Sequence, residues 1–267
     1  MTNRHGELLA RLSEGISTLS DSDEWRAWLN VQSRFHRYSW RNTMLISSQR
    51  PDATHVAGYR TWQGLGRQVR PGEHAVWIFA PLVYKRDSRV APDSAGQEVR
   101  GFKTVPVFDV SQTEGQPLPQ LCRRLTGDDE LGYFKQLVLT AEGFGYRVED
   151  ADLAAPTNGD CTFELRRIRI DIGNDPIQRV KTLAHELAHA LLHEHEEDPA
   201  RAELEAESVA YCVCAALGID SGDYSFGYLA GWAGGGDQAL TALAASAERI
   251  QRTTSSILDV GFGAIRS

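Results

Sequence analysis

The sequence predicts an α+β chain of two domains, residues 1–118 and 119–267. Three observations carry that prediction. Apolar residues recur at helical spacing over the first 50 residues, then give way to short strands and turns. A second mixture of helix and hairpin follows Gln116-Pro117-Leu118-Pro119, which reads as a linker. Charge is also divided. Residues 1–124 carry 17 Lys/Arg against 12 Asp/Glu, and residues 125–267 carry 11 against 24, giving −8 for the whole chain. A length of 267 residues and an apolar fraction of 42% suffice for two ordinary cores.

The elements follow in order. Leu8, Leu9, Leu12, Ile16 and Leu19 mark a first helix. Ser20-Asp21-Ser22-Asp23 supplies caps for a second, which carries Trp25, Trp28, Leu29, Val31 and Phe35. A third runs from Ser39 through Ile46 and stops before Arg50-Pro51. Residues 61–73 read as turns around a short apolar pattern. Ala75-Val76-Trp77-Ile78-Phe79-Ala80 is a strand that continues to Lys85, and residues 87–98 are a polar loop. Residues 104–110 form another strand, whose Pro106 suggests an edge position.

In the second half, residues 128–143 read as a helix with Phe134 and Leu137 inward. Residues 161–165 and 168–171 read as a hairpin around Arg166-Arg167. A helix then opens with Asp175 as cap and Pro176 in its first turn. An acidic loop over residues 193–199 leads to a helix over residues 200–217, with Gly218 as its stop. Residues 222–236 are rich in Gly and aromatic residues, and a last helix covers residues 238–257.

Cys122, Cys161, Cys212 and Cys214 form no Cys-x-x-Cys pair, so free thiols in a reducing cytoplasm are expected. The first residues lack an apolar h-region, and no run of apolar residues is long enough to span a bilayer. Neither a signal peptide nor a membrane partner is therefore expected.

The chemistry centres on His185-Glu186-Leu187-Ala188-His189. On a helix, positions i and i+4 share a face, so His185 and His189 can direct two imidazoles at one zinc ion. Glu186 is rotated from them by about 100°, where a carboxylate can take a proton from a bound water. By chance alone the pattern arises in roughly 1–2% of such chains, so it needs the capped helix and a third ligand beside it. Glu203 and Glu207 share one helical face, and either could complete a His2Glu set; Glu205 points away from both. Glu207 is favoured, lying 18 residues past His189, which leaves room for a loop and an antiparallel helix. The other glutamate would then orient a histidine. His193 reads as structural or exposed. The reaction class is peptide-bond hydrolysis.

The window from Arg26 to Arg70 holds eight arginines against the single Asp52, interleaved with Trp25, Trp28, Phe35, Tyr38, Trp40, Tyr59 and Trp62. Single-stranded nucleic acid is bound by this mixture of rings and guanidinium groups. Trp25, Trp28 and Phe35 are expected in the core, whereas Tyr38, Trp40 and Trp62 are left undecided between core and nucleic-acid contact.

Two resemblances follow. His185-Glu186-Leu187-Ala188-His189 with Glu207-Ser208-Val209-Ala210-Tyr211 resembles the ImmA/IrrE-type zinc metallopeptidases, and more closely the C-terminal domain of ArdC-type antirestriction proteins. The N-terminal half is similar to the ArdC-like single-stranded-DNA-binding domain. The similarity lies in Tyr38-Ser39-Trp40-Arg41-Asn42-Thr43-Met44-Leu45-Ile46, Thr61-Trp62-Gln63, residues 66–73 and residues 107–115. The resemblance implies a small mixed α/β single-stranded-DNA-binding module joined to a zincin-like metallopeptidase domain, associated with mobile elements. It implies His185, His189 and Glu207 as zinc ligands and Glu186 as general base. Arg41, Asn42, Trp62, Arg67 and Arg70 are the implied DNA contacts. Two other readings stand beside this one. The first is a regulatory protease that cuts a repressor. The second is a DNA-protecting binder whose metal is not catalytic.

Overall fold

The computed structural model describes residues 4–85, 97–117, 130–219 and 237–263. The expected polar loop over residues 87–98 falls almost wholly outside them, as do the Gly-rich stretch over residues 222–236, Cys122 and part of the linker. The chain divides into two compact units. Residues 1–15 and 41–118 form one, and residues 16–40 and 119–267 form the other.

The first unit contains most of α1 (Arg4–Thr18) and α3 (Trp40–Gln49), which bury Leu8, Leu12, Met44, Leu45 and Ile46. Its sheet has the order β1-β4-β3, formed by β1 (Val56–Ala57), β3 (Val76–Lys85) and β4 (Gln97–Asp109), all antiparallel. β4 is central by order, yet β1 pairs only with Phe108 and Asp109. At Pro106 the one ladder partner among the described residues is therefore Trp77 on β3, which is how a residue without an N–H is accommodated. The other side of β3 is met by two side-chain amides of α3. Asn42 donates to Phe79 O at 2.8 Å and accepts from Phe79 N at 3.0 Å. Gln49 does the same to Trp77, at 2.9 and 3.0 Å. These amides satisfy backbone groups that a bare strand edge would leave open.

A short helix α4 (Tyr59–Gly64) and the ribbon of β2 (Arg67–Val69) with β5 (Thr113–Gly115) complete this unit. Turns were expected where α4 lies. Its N-cap, Gly58, makes no side-chain bond, so no capping residue announces the helix. Trp62 holds it instead: the ring is 2% exposed and its indole N–H donates to Phe108 O at 2.8 Å. A buried carboxylate, Asp109, ties the loops together. It accepts from the backbone N–H groups of Thr54 (2.7 Å), His55 (3.0 Å) and Ser111 (2.9 Å), and from Ser111 Oγ at 2.6 Å.

The second unit contains α2 (Ser22–Arg34), α5 (Glu130–Gly143), α6 (Pro176–Leu192), α7 (Pro199–Ala216) and α8 (Asp237–Phe262). Residues 16–40 pack with this unit, because the apolar face of α2 is buried against α7. The Trp25 indole N–H donates to Ser208 Oγ at 3.0 Å, and Tyr211 OH donates to Asn30 Oδ1 at 2.6 Å. A three-stranded sheet has the order β6-β8-β7, formed by β6 (Arg147–Ala151), β7 (Gly159–Thr162) and β8 (Arg167–Asp171). β7 and β8 are the expected antiparallel hairpin, turning at Arg166 with φ +47°. β6 runs parallel to β8.

The core lies around α6, where Val180, Leu183, Ala184, Leu187 and Ala188 are fully buried. Leu137, Ile168, Ile170, Ala206, Val209 and Ile250 are likewise fully buried in this unit. No helix among the described residues is long and apolar enough to cross a membrane. Among the described residues Cys161, Cys212 and Cys214 form no disulfide.

Candidate metal centre

Two capped helices carry the site. α6 starts where Asp175 accepts from Gln178 N at 2.8 Å and Pro176 occupies the first turn. α7 starts where Asp198 accepts from Ala200 N and Arg201 N, at 3.1 and 3.2 Å, with Pro199 following. It ends at Gly218, with φ +74°: Ile219 N–H reaches Cys214 O at 2.9 Å and Gly218 N–H reaches Ala215 O at 3.1 Å. That paired bonding closes the last turn and requires a residue free to adopt positive φ.

From α6, His185, His189 and His193 project as a staircase one turn apart. The ring centroids are 4.7 Å apart in the first pair and 4.9 Å in the second. The Nε2 atoms of His185 and His189 lie 3.0 Å apart. Glu203 of α7 faces both, with one carboxylate oxygen 3.5 Å from His185 Nε2 and the other 3.4 Å from His189 Nε2. Metal–ligand distances of about 2.0–2.1 Å in a tetrahedral site give ligand–ligand edges of about 3.3–3.4 Å. The two imidazole nitrogens and the Glu203 carboxylate, which presents one oxygen to each, therefore suit a divalent cation. The side chains of His185 and His189 are 19% and 15% exposed, and that of Glu203 is 51% exposed, so the open side of this group faces solvent.

Glu207 is the third ligand favoured from the sequence, with Glu203 as the alternative. Glu207 lies behind His185, with Oε2 3.2 Å from Nδ1, and its other oxygen pairs with Lys181 Nζ at 3.4 Å. In the tautomer with its proton on Nδ1, His185 donates to Glu207 and keeps its Nε2 lone pair for a cation. Burial opposes protonation of His185, but hydrogen bonds with Glu203 and Glu207 outweigh it and raise its pKa to about 9. The same hydrogen bonds to His185 and His189 hold Glu203 far below the usual carboxylate range. A proton on His185 would compete with a cation for that lone pair.

Glu186 is nearly buried and sits between α6 and β7. Gly159 makes room for it, since a Cβ there would stand 3.2 Å from Glu186 Cγ and 2.6 Å from Thr182 Cγ2. Burial raises the pKa of Glu186, with partial opposition from the neighbouring imidazoles. A carboxylate raised in this way is suited to holding a proton near neutral pH.

Comparison with known proteins separates the two parts of the chain. Residues 6–108 match the model of the N-terminal domain of anti-restriction factor ArdC, and residues 141–215 match the IrrE N-terminal-like domain of peptidase family M78. The Mn(II)-bound crystal structure of the antirestriction ArdC protein from plasmid R388 superposes with a TM-score of 0.59. That match has 20% identity and covers 96% of this chain and 99% of that one. The chain is ArdC-like. The metal-free structure of the R388 protein matches with a TM-score of 0.52 at 21% identity, over 85% of this chain and 86% of that one. An uncharacterised Bacillus anthracis protein is 26% identical over 86% of this ArdC-like chain, which spans 46% of that relative's length.

In the ArdC-type domain, the five residues expected at DNA are not gathered into one open face. Trp62 is buried and Asn42 is committed to β3. Arg67 donates to Thr113 Oγ1 at 2.7 Å, to Thr113 O at 3.1 Å and to Gln116 O. Arg70 is exposed and donates to Glu73 and to Ser111 O. Arg41 is exposed on α3. Trp40, left undecided by the sequence, is 3% exposed, whereas Tyr59 and Phe102 are 43% and 56% exposed.

His193, read from the sequence as structural or exposed, is buried together with Glu205 behind His189. Burial pushes the pKa of His193 down, partly offset by its bond to Glu205. Glu205 is also buried, yet bonds from His193, Ser246 and Arg201 hold its carboxyl below the ordinary range. A signal was present in the sequence: His193 continues the i, i+4 spacing one turn beyond His189.

Proposed function

We propose that this chain is a zinc-dependent peptide hydrolase joined to a single-stranded-DNA-binding domain, acting in the cytoplasm in antirestriction. The convergence of His185 Nε2, His189 Nε2 and Glu203 on one point carries the hydrolase reading. Two imidazoles and a carboxylate suit zinc better than the harder cations, which prefer oxygen ligands throughout. When bound, zinc supplies a Lewis acid and a water of lowered pKa. His185, His189 and Glu203 hold it, and Glu207 fixes the ring of His185. Glu186 takes the proton of the attacking water and delivers it to the leaving amine. The half-exposed Glu203 would leave that side of the centre open to solvent and substrate.

The nucleic-acid reading rests on the first unit, where Arg41, Arg60, Arg100 and Lys103 are exposed together with Tyr59 and Phe102. Cations and open rings suit a binder that tracks phosphates and stacks bases without reading sequence. Arg41 and Arg70 remain the contacts proposed from the original five.

The test combines metal content with substrate profiling. Zinc-loaded protein is incubated with a complex peptide mixture, with and without single-stranded oligonucleotide, beside Glu186→Gln. New cleavage products with wild type, absent with Glu186→Gln at equal zinc content, support the reading. Identical products from both proteins would contradict it and leave a metal site that serves binding alone. Oligonucleotide affinity should fall with added salt, and affinity indifferent to salt would count against phosphate contact.

A further inference from the structure

We propose that His193 and Glu205 are a positioning pair that fixes the proton on His189 so that its Nε2 lone pair faces the metal. The inference rests on the metal reading above and assigns a role to two buried residues which that reading leaves unused.

A chain of hydrogen bonds begins at Glu205. Its side chain is 0% exposed and held on all sides. Ser246 Oγ donates to Oε1 at 2.6 Å and Arg201 Nε donates to the same oxygen at 3.0 Å. Arg249 Nε stands 2.9 Å from Oε2. Arg249 is itself anchored, donating to Leu192 O at 2.9 Å and to Glu196 at 3.2 Å. A carboxylate gripped by two guanidinium groups and a hydroxyl is an acceptor only. The contact of 3.1 Å between Glu205 Oε2 and His193 Nε2 therefore requires the proton on His193 Nε2.

The next contact joins His193 Nδ1 and His189 Nδ1 at 2.9 Å, and one proton must lie between them. With that proton on His189, both rings are neutral and His189 Nε2 presents a lone pair. With it on His193, that ring is an imidazolium buried beside Arg249, and His189 must carry its own proton on Nε2, where it cannot bind metal. The buried placement of His193, whose side chain is 3% exposed, favours the neutral arrangement. The two ligand histidines thus have different supports. His185 leans directly on Glu207, which is 21% exposed, while His189 leans on a dry relay ending at Glu205.

The test uses the full chain. Zinc affinity is measured by competition with a chromophoric chelator for wild type, His193→Phe and Glu205→Gln. Imidazole nitrogen NMR of wild type reports which nitrogen carries each proton. The proposal predicts protons on His189 Nδ1 and His193 Nε2. It also predicts a roughly 10–100-fold loss of zinc affinity in His193→Phe, the range known for outer partners of metal-bound histidines. A proton on His189 Nε2 in the wild type, or undiminished affinity in a folded His193→Phe, overturns it. Should the variants fail to fold, the wild-type proton positions decide alone. A wild type that binds no zinc while showing the predicted protons would refute the metal reading and keep the relay. A wild type that binds zinc with an unaffected His193→Phe would do the reverse.

Discussion

Replacing Glu203 by Gln removes the one carboxylate that faces both imidazole Nε2 atoms, at 3.5 and 3.4 Å. Zinc bound by four protein ligands gains about 10–16 kcal/mol, or roughly 3–4 kcal/mol per ligand. Loss of one ligand should therefore weaken binding by roughly 10²–10³-fold. The Glu203 side chain is 51% exposed, so the substitution should leave the fold intact. Glu207→Gln is the matched control. A Gln there retains an oxygen that can accept the Nδ1 proton of His185, so its loss should stay near the lower end of the roughly 10–100-fold range for outer partners. Competition against a chromophoric chelator at fixed pH measures both. A larger loss in Glu207→Gln than in Glu203→Gln would refute the assignment of ligand and support.

Other outcomes follow from the same coordinates. Asp109 carries its charge in a buried site: burial raises its pKa, but the bonds from Ser111, Thr54 and His55 lower it further. The stabilisation is therefore complete above the unfolded carboxylate pKa and is lost as pH falls through the lower folded value. Urea midpoints of wild type and Asp109→Asn should thus differ at pH 7 and converge in acid; a gap that widens in acid would contradict this. Gly159→Ala should cost about 1–3 kcal/mol, because the added Cβ meets Thr182 Cγ2 at 2.6 Å and Arg169 O at 3.0 Å. It should also reduce hydrolysis through displacement of Glu186, and an unchanged melting temperature would show that the pocket is looser than described. Trp62→Ala should destabilise by about 3–5 kcal/mol, as expected for a ring buried at 2% exposure. If it instead weakened DNA binding with no change in stability, the ring would be a contact rather than core.

Much of the second unit was legible because its signals are local. The Asp175 cap, Pro176, the His185/His189 spacing and Gly218 each act within a turn of themselves, and the helices start and stop accordingly. The choice between Glu203 and Glu207 was not local. Helical spacing fixes the direction in which both point but not how far α7 slides along α6, and that offset decides which one reaches the two Nε2 atoms. The role of α2 was hidden for a similar reason. An apolar face with Trp25 and Trp28 demands burial without naming its partner, and Ser208 supplies it from 183 positions away. α4 forms without a side-chain cap and is held by Trp62 bonded to a distant carbonyl, so turn residues dominated the local pattern. Asn42 illustrates the converse. A polar side chain beside arginines suggested nucleic acid, yet its amide completes the hydrogen bonding of β3.

Anomalous diffraction at the zinc edge from zinc-soaked crystals interrogates the centre most directly. The account predicts one strong peak within about 2.3 Å of His185 Nε2, His189 Nε2 and a Glu203 oxygen. A peak bound instead by Glu207, or no peak between the two imidazoles, would contradict it.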